Sequence, residues 1–557
     1  MKTQLKLLPL ALLALGHGAF AQQPPGAGSQ LNQLRPPVEL PRNPTQILIE
    51  EAPVAADAST EGAKVRVDEL RITGASVFPT SELMAATGFV PGTESTLSQL
   101  QGMAAAVTAY YRERGYFVAN AYLPAQDVSS HVVTIAVSEG RQGDVILRNN
   151  SRLSDALVHD VLGDPGTGEP ILIDPLESRL LRLSDIPGVN IRSTLAPGTL
   201  PGTSDQILEV DPYRTVTGFV DADNAGNPYT GENRVGAQVN LNNLAGRGDV
   251  ASLRLLTSGS GLKYGRASYQ MMFGRATIGA AYSRLEYELG EQFAPLGANG
   301  TATVASLFGS VPLVRSRDTN LYAGLTLEKR KFEDRLDLFP AAIRVAEADV
   351  GILSLYGDHR DNWFGGGASR FHVMLSGGQL DILSPIPLAI DAMTARTNGN
   401  YGKLWFQGSR AQRVTDTLSV STTLTGQLAS KNLDPSEKLV LGGMDGVRAY
   451  AQGEGVGDQG VIASVEARLL LARASERIPG QLHLLGFADA GRITVNKDPW
   501  YPGDNHRNLS GAGIGLTWSE PGNWSVRTYY AWALGSETSQ SVPHESGRFW
   551  IQAVKYF

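Results

Sequence analysis

The chain has no cysteine in 557 residues, so it can form no disulfide, thiolate metal site or cysteine nucleophile. Charged residues make up only 18% and the formal balance is -7, which removes the basic surface that general nucleic-acid binding needs. Past the N-terminus there is no apolar run near the ~20 residues of a spanning helix. Any membrane role therefore falls to strands. Catalytic and cofactor signals are missing too. There is no His-Glu-x-x-His pair, and the eight histidines are scattered. Gly453-Glu454-Gly455-Val456-Gly457 looks like a nucleotide loop only superficially, because no strand–turn–helix surrounds it. Gly246-Arg247-Gly248-Asp249 reads as a turn between strands. The expectation is a protein that is not an enzyme and has no cofactor, no metal and no nucleic-acid partner.

What is present divides along the chain. Lys2 and Lys6 precede the apolar run Leu7 to Leu15, and Ala19-Phe20-Ala21 supplies a small-x-small cleavage site. These are the three parts of a secretory signal peptide over residues 1–21. Residues 22–62 are Pro-rich and polar and read as a linker, with one candidate short helix over Ser29 to Arg35. Residues 63–140 and 141–212 then repeat one order: strand, helix, helix, strand, strand. In the first unit, Val65 to Ile72, Phe117 to Leu123 and Val132 to Val137 read as strands, and Thr96 to Arg114 as the longer helix. Small mixed modules with open edge strands can take up an extended peptide. The pattern is equally compatible with spacers.

From 213 to 557 helical signals nearly vanish and segments of about ten residues alternate in character. Val461, Val465, Leu469 and Leu471 oppose Ser464, Glu466 and Arg468; Ile514, Leu516 and Trp518 oppose Gly511, Gly513, Gly515 and Thr517. A soluble sandwich also alternates. The length of the strand region, the small residues on one face and the aromatic residues at strand ends (Trp500, Trp518, Trp524, Trp532, Tyr529, Tyr530) point instead to a transmembrane β-barrel with an aromatic girdle. About sixteen antiparallel strands are expected, with Phe557 as the C-terminal barrel signal and Lys555 as an interruption of the outward face.

Between two such strands lies a Gly-rich loop, 429–459, with Val447, Arg448, Ala449 and Tyr450 at its tip. A later strand carries Phe487-Ala488-Asp489-Ala490-Gly491. On parity, Asp489 shares a face with His483, Leu485 and Phe487. A carboxylate facing lipid is expensive, so this face is the lumen. Leu485 and Phe487 then need something to pack on them. Five strands follow the loop. If the last ends in the periplasm, the loop is extracellular. Arg448 is expected to fold into the barrel and pair with Asp489. That pair either stabilises the barrel alone or holds a loop that controls the pore. Glu466 could serve structure or transport.

These residues carry a family resemblance. Arg114-Gly115-Tyr116, Leu123-Pro124-Ala125-Gln126 and Val137-Ser138-Glu139-Gly140 resemble the first polypeptide-transport-associated (POTRA) module of the two-partner secretion transporters, the TpsB family of haemolysin and haemagglutinin secretion proteins. Ile186-Pro187-Gly188-Val189 and Pro201-Gly202-Thr203-Ser204-Asp205 resemble the second module. Asp223-Asn224-Ala225-Gly226, Thr230-Gly231 and Asn243-Leu244-Ala245-Gly246-Arg247-Gly248-Asp249 resemble the barrel start. Val447-Arg448-Ala449-Tyr450 is similar to the family's Val-Arg-Gly-Tyr loop tip. Phe487, Asp489 and Gly491 match its Phe-x-Asp-x-Gly strand. Ala449 replaces the usual Gly, which bears on the tip because Gly tolerates positive φ and close approach.

The resemblance implies an outer-membrane translocation pore of a Gram-negative bacterium with two periplasmic POTRA modules and a secreted, TpsA-like exoprotein as partner. Outer-membrane lipid and the barrel assembly machinery would be its other contacts. In relatives an N-terminal helix plugs the pore. An assembly factor for other barrels and a passive porin-like channel are the alternatives.

Overall fold

The computed structural model describes residues 24–34, 64–473, 479–542 and 547–557. The expected signal peptide and most of the Pro-rich segment lie outside these residues. The candidate helix of that segment is α1 (Ala27–Asn32), beginning two residues before the expected Ser29.

The first module contains β1 (Lys64–Val67), β2 (Glu69–Thr73), α2 (Thr80–Thr87), β3 (Thr93–Thr96), α3 (Leu97–Glu113), β4 (Asn120–Tyr122) and β5 (Val132–Ser138). Strand β2 runs parallel to β5, and β4 antiparallel to it. Leu83, Leu100, Val107 and Tyr111 pack on Leu70 and Ile135. A capping box starts α3: Gln99 N–H donates to Thr96 Oγ1 (3.2 Å), and Thr96 N–H to Gln99 Oε1 (2.8 Å). Gly115, at φ +91°, stops the helix. Two strand expectations need correction. The run Val65 to Ile72 is two strands, because Asp68 N–H turns aside to His131 O (2.8 Å) and β1 pairs with β3 instead. The strand expected from Phe117 starts only at Asn120, since Phe117 and Val118 pack into the second module's core.

The second module repeats the plan with β6 (Arg141–Asn149), α4 (Asp155–Leu162), α5 (Ile173–Ser184), β7 (Val189–Pro197) and β8 (Thr203–Pro212). Its strands lie in the order β6-β8-β7, with β6 and β8 parallel. Both modules thus carry two helices over a three-stranded mixed sheet with two open edges.

The barrel wall begins with β9 (Val216–Asp223), β10 (Arg234–Asn242), β11 (Val250–Thr257), β12 (Leu262–Phe273), β13 (Ala276–Glu288) and β14 (Ala298–Arg315). It continues with β15 (Thr319–Leu336), β16 (Arg344–Asp361), β17 (Gly367–Ile382), β18 (Gly399–Arg413) and β19 (Leu418–Ala429). A small hairpin, β20 (Leu439–Val440) and β21 (Val456–Gly457), belongs to the loop that follows. The wall is completed by β22 (Gln459–Ala472), β23 (Gln481–Thr494), β24 (His506–Glu520), β25 (Trp524–Leu534) and β26 (Arg548–Tyr556). The sixteen wall strands are antiparallel throughout, and β26 pairs with β9 to close the cylinder. Closure leaves no unpaired edge, the condition lipid imposes on a strand set. Phe557 extends the final ladder beyond β26, exchanging backbone hydrogen bonds with Gly218 at 3.0 and 3.1 Å.

The outward face shows where the apolar band stops. Leu325, Leu327, Leu353, Leu355 and Leu375 are each 41–57% exposed on that face. Further along β15, Lys329 stands opposite Asp349, and Lys331 opposite Glu347 at 3.6 Å. Strands β14, β15 and β16 have 18 residues each and β9 only eight, so the wall on one side rises well above the band. The wall there is topped by α6 (Pro385–Met393), a helix that strand periodicity did not predict.

The girdle expectation is corrected at Tyr529. It is 5% exposed and faces inward, whereas Trp518, Tyr530 and Trp532 face outward. Lys555 does face outward, but at the periplasmic rim, where its ammonium group reaches Asn523 and leaves the band.

Candidate functional site inside the barrel

The lumen is filled by two pieces of the same chain, α1 and the loop between β19 and β22. The loop carries its charges inward. Glu437, Arg448, Glu454 and Asp458 are all at most 6% exposed, and each has partners on the wall or on neighbouring loops. Buried charges persist only when paired and hydrogen-bonded, so these partners fix the loop's course.

Arg448 is the most heavily bonded. Its Nε and Nη2 donate to the two carboxylate oxygens of Asp489 on β23, both at 2.9 Å, and its backbone N–H adds a third bond at 3.1 Å. Nη1 donates to Glu466 on β22 at 2.8 Å. Ser464, directly opposite Asp489 across the β22–β23 ladder, donates to Asp489 at 2.7 Å and accepts from Arg448 Nη2 at 3.1 Å. The guanidinium lies 3.4 Å from the centre of the Phe487 ring, within cation–π distance. Trp550 on β26 donates its indole N–H to Arg448 O at 2.6 Å. One residue, through its side chain and its backbone carbonyl, thus joins strands β22, β23 and β26 to the loop tip.

Each residue of the two motifs has a place in this geometry. Val447 is fully buried and donates its N–H to Leu441 O (2.8 Å). Tyr450 is 3% exposed, and its hydroxyl donates to Glu537 O at 3.2 Å. Phe487 is the floor beneath Arg448, with Tyr529 edge-on to it at 5.7 Å. Gly491 leaves room for Leu441: a Cβ there would stand 2.9 Å from Leu441 Cδ2. Leu485 and Phe487 have the packing partner that parity demanded, Met444 of the loop. Phe557 lies apart from this site, at the β9–β26 seam.

Ala449 does not have the positive φ that a Gly there would suggest; among the described residues of the loop, Gly443, Gly453 and Gly455 do. The close approach comes from the wall instead. A Cβ on Gly511 of β24 would fall 2.5 Å from Ala449 Cβ, and one on Gly513 2.4 Å from the Phe487 ring. The small-residue face of β24 is the bed of the loop tip.

Sequence reasoning missed the other anchors. Glu454, set between two positive-φ glycines, receives Arg507 Nη2 at 2.5 Å, Gln540 N–H at 3.0 Å and Ser541 N–H at 2.9 Å. Asp458 receives Lys438 Nζ and Lys497 N–H, both at 2.8 Å. Glu437 is held by Lys403 Nζ (2.5 Å), Tyr401 OH (2.9 Å) and Arg330. The available signal was charge within a Gly-rich loop between apolar strands.

Helix α1 completes the filling. Its first N–H, at Ala27, donates to Asp334 on β15 (2.7 Å), which also accepts from Tyr287 (3.0 Å). At the other end Asn32 donates to Lys438 O of the loop (2.7 Å), and Gln33 accepts from Asn227 (3.0 Å). Ala27 joins an apolar cluster with Leu285, Phe293 and Phe332 of the wall region. A cavity of about 450 Å³ remains, lined by Leu31, Asp221, Arg234, Gln238, Arg254 and others. Among the described residues no cluster of three His, Asp or Glu side chains could hold a metal ion.

The fold and site define a class: an outer-membrane barrel preceded by POTRA modules, with its own loop and N-terminal helix lying inside the lumen. The chain belongs to the haemolysin secretion/activation protein family ShlB/FhaC/HecB, whose profile matches residues 202–518, and the ShlB-type POTRA domain matches residues 65–140. It is similar to the heme/hemopexin transporter protein HuxB of Haemophilus influenzae, at 26% identity over 84% of this chain and 82% of that protein. It is also similar to the outer membrane transporter CdiB of Dickeya dadantii, at 23% identity over 84% and 83%.

Among solved structures, CdiB from Escherichia coli matches at 20% identity with a TM-score of 0.64, over 100% of this chain and 98% of that one. BamA from Haemophilus ducreyi lacking POTRA domains 1–3 matches at 16% identity with a TM-score of 0.54, over 88% and 100%. These two show the fold. The protein is a two-partner secretion transporter, with its barrel in the outer membrane and its POTRA modules in the periplasm.

Proposed function

We propose that this transporter exports one dedicated exoprotein, and that the loop tip and α1 together form its gate. The carrying observation is that buried ion pairs and hydrogen bonds anchor both pieces to the barrel wall and the loops beside it. Arg448 to Asp489 and Glu466, Glu454 to Arg507, and Ala27 to Asp334 can exchange for other polar contacts without breaking a strand ladder.

In this reading the unfolded partner adds a strand to an open edge of the POTRA sheets. It then enters the lumen through the charged cavity beside Arg234 and Arg254 and displaces the gate. Folding outside the cell supplies direction, and the protein performs no catalysis. The signal peptide takes the chain to the periplasm, where the barrel assembly machinery inserts it into outer-membrane lipid.

Deletion of the gene followed by proteomics of the culture medium tests the reading. Loss of one large secreted protein is the expected result. An unchanged medium with depleted outer-membrane barrels would replace the reading with that of an assembly factor.

A further inference from the structure

The second module meets the barrel rim through α5. Two contacts there are ion pairs: Arg315 donates to both oxygens of Asp185 (2.7 and 2.8 Å), and Arg317 reaches Glu177 at 2.6 Å. A third group lacks such a partner. Arg179 and Arg182 lie one turn apart on α5, and Arg275 sits in the hairpin turn between β12 and β13. The Arg275 guanidinium reaches the end of α4, where a Cβ on Gly163 would stand 2.9 Å from its Nη2.

Few donors in this group are satisfied. Arg179 Nη1 donates to Pro165 O and Arg182 Nη1 to Ser178 Oγ, both at 3.2 Å. The buried Nε of Arg182 has no partner. Among the described residues the Arg275 side chain makes no hydrogen bond or ion pair. Burial, and then the charges of Arg275 and Arg179, pushes the Arg182 guanidinium down from its ordinary range. Burial pushes Arg179 down as well, against the opposing charge of Asp164. Like charges gathered in a partly desolvated place call for a counter-ion.

The same turn sets the height of this group relative to the bilayer. Phe273, two residues before Arg275, is 71% exposed at the periplasmic end of β12, in line with the outward-facing Tyr269 and near the outward-facing Ile278. Exposed aromatic residues at a strand end mark the headgroup level of a bilayer. The arginines therefore lie at the headgroups of the periplasmic leaflet.

We propose that Arg179, Arg182 and Arg275 bind the phosphate of an anionic phospholipid, which clamps α5 of the second module to the β12–β13 turn. Guanidinium forks suit phosphate oxygens, and basic pockets at a bilayer surface select anionic headgroups. The lipid thereby sets the angle at which the module approaches the pore. This rests on the membrane placement of the barrel and not on the gate.

The test is native mass spectrometry of the full-length protein released from detergent micelles containing phosphatidylglycerol or phosphatidylcholine. Wild type should retain phosphatidylglycerol in preference to phosphatidylcholine. Arg275→Gln and Arg182→Gln should each reduce that retention about fivefold, while Arg317→Gln, on the same rim, should not. Arg275 lies in an exposed turn, so its variant carries the test if Arg182→Gln does not fold. Equal retention by wild type and Arg275→Gln would overturn the proposal. So would full displacement by inorganic phosphate at the lipid's own concentration, which would make this a free-phosphate site.

Discussion

Arg448 commits four of its five guanidinium N–H donors to two carboxylates and a serine. Removing Asp489 leaves a buried guanidinium short of its fork, a loss of about 3–5 kcal/mol for a dry pair. Asp489→Ala is therefore expected to free the loop tip while the barrel still folds, seen as new protease cleavage near residue 448 and loss of secretion. Normal secretion would remove the gating role. Glu466→Gln should give a milder defect, because the Asp489 fork survives.

Gly511→Val should copy the Asp489→Ala phenotype with every charge intact, since its side chain occupies the space of Ala449. Ala449→Gly should secrete normally, because that position needs no positive φ. The Arg–Asp pair was legible from strand parity and the motif. Gly511 was visible only as one of several small inward residues, because which glycine a loop touches depends on contacts between segments far apart in sequence.

At the scale of elements, α1 and the loop depend on each other through Asn32 and Lys438. Asp334→Ala, which removes the acceptor at the start of α1, should raise single-channel conductance in planar bilayers. Unchanged conductance would show that α1 does not occlude the pore.

The first module carries a pH dependence. Burial pushes the Glu139 carboxyl up, but bonds from Ser76, Val77 and Tyr111 outweigh it and hold the group below the usual carboxylate range. A depressed folded-state value stabilises above the unfolded value of about 4.3 and is lost as pH falls through the folded one. Hydrogen exchange of β5 and α3 should accelerate progressively below about pH 5, and Glu139→Gln should flatten that response. Helices and strands of the modules were legible from periodicity and caps. The break at Asp68 was not, because it is set by the distant His131 carbonyl. Helix α6 was missed for a different reason: Pro385-Ile386-Pro387 reads locally as a helix breaker, although Pro is tolerated in a first turn.

For the whole molecule, alternation gave the strands and their approximate number, the length of the strand region with its small and aromatic residues gave the barrel, and parity with the cost of a carboxylate in lipid gave the facing of Asp489. What fills the lumen could not be read that way, because a buried charge and a solvated one look the same in sequence. Glu437, Glu454 and Asp458 were therefore passed over, although they too are buried and bonded to the groups around the loop. The central claim is that an unfolded polypeptide passes through this lumen. The direct measurement places a photo-crosslinking residue at Gln238, which lines the lumenal cavity, and in a second strain at Val239, on the outward face of the same strand. Irradiation of secreting cells should join one secreted protein to position 238 and none to position 239. No adduct at 238, or equal adducts at both, would contradict passage through the barrel.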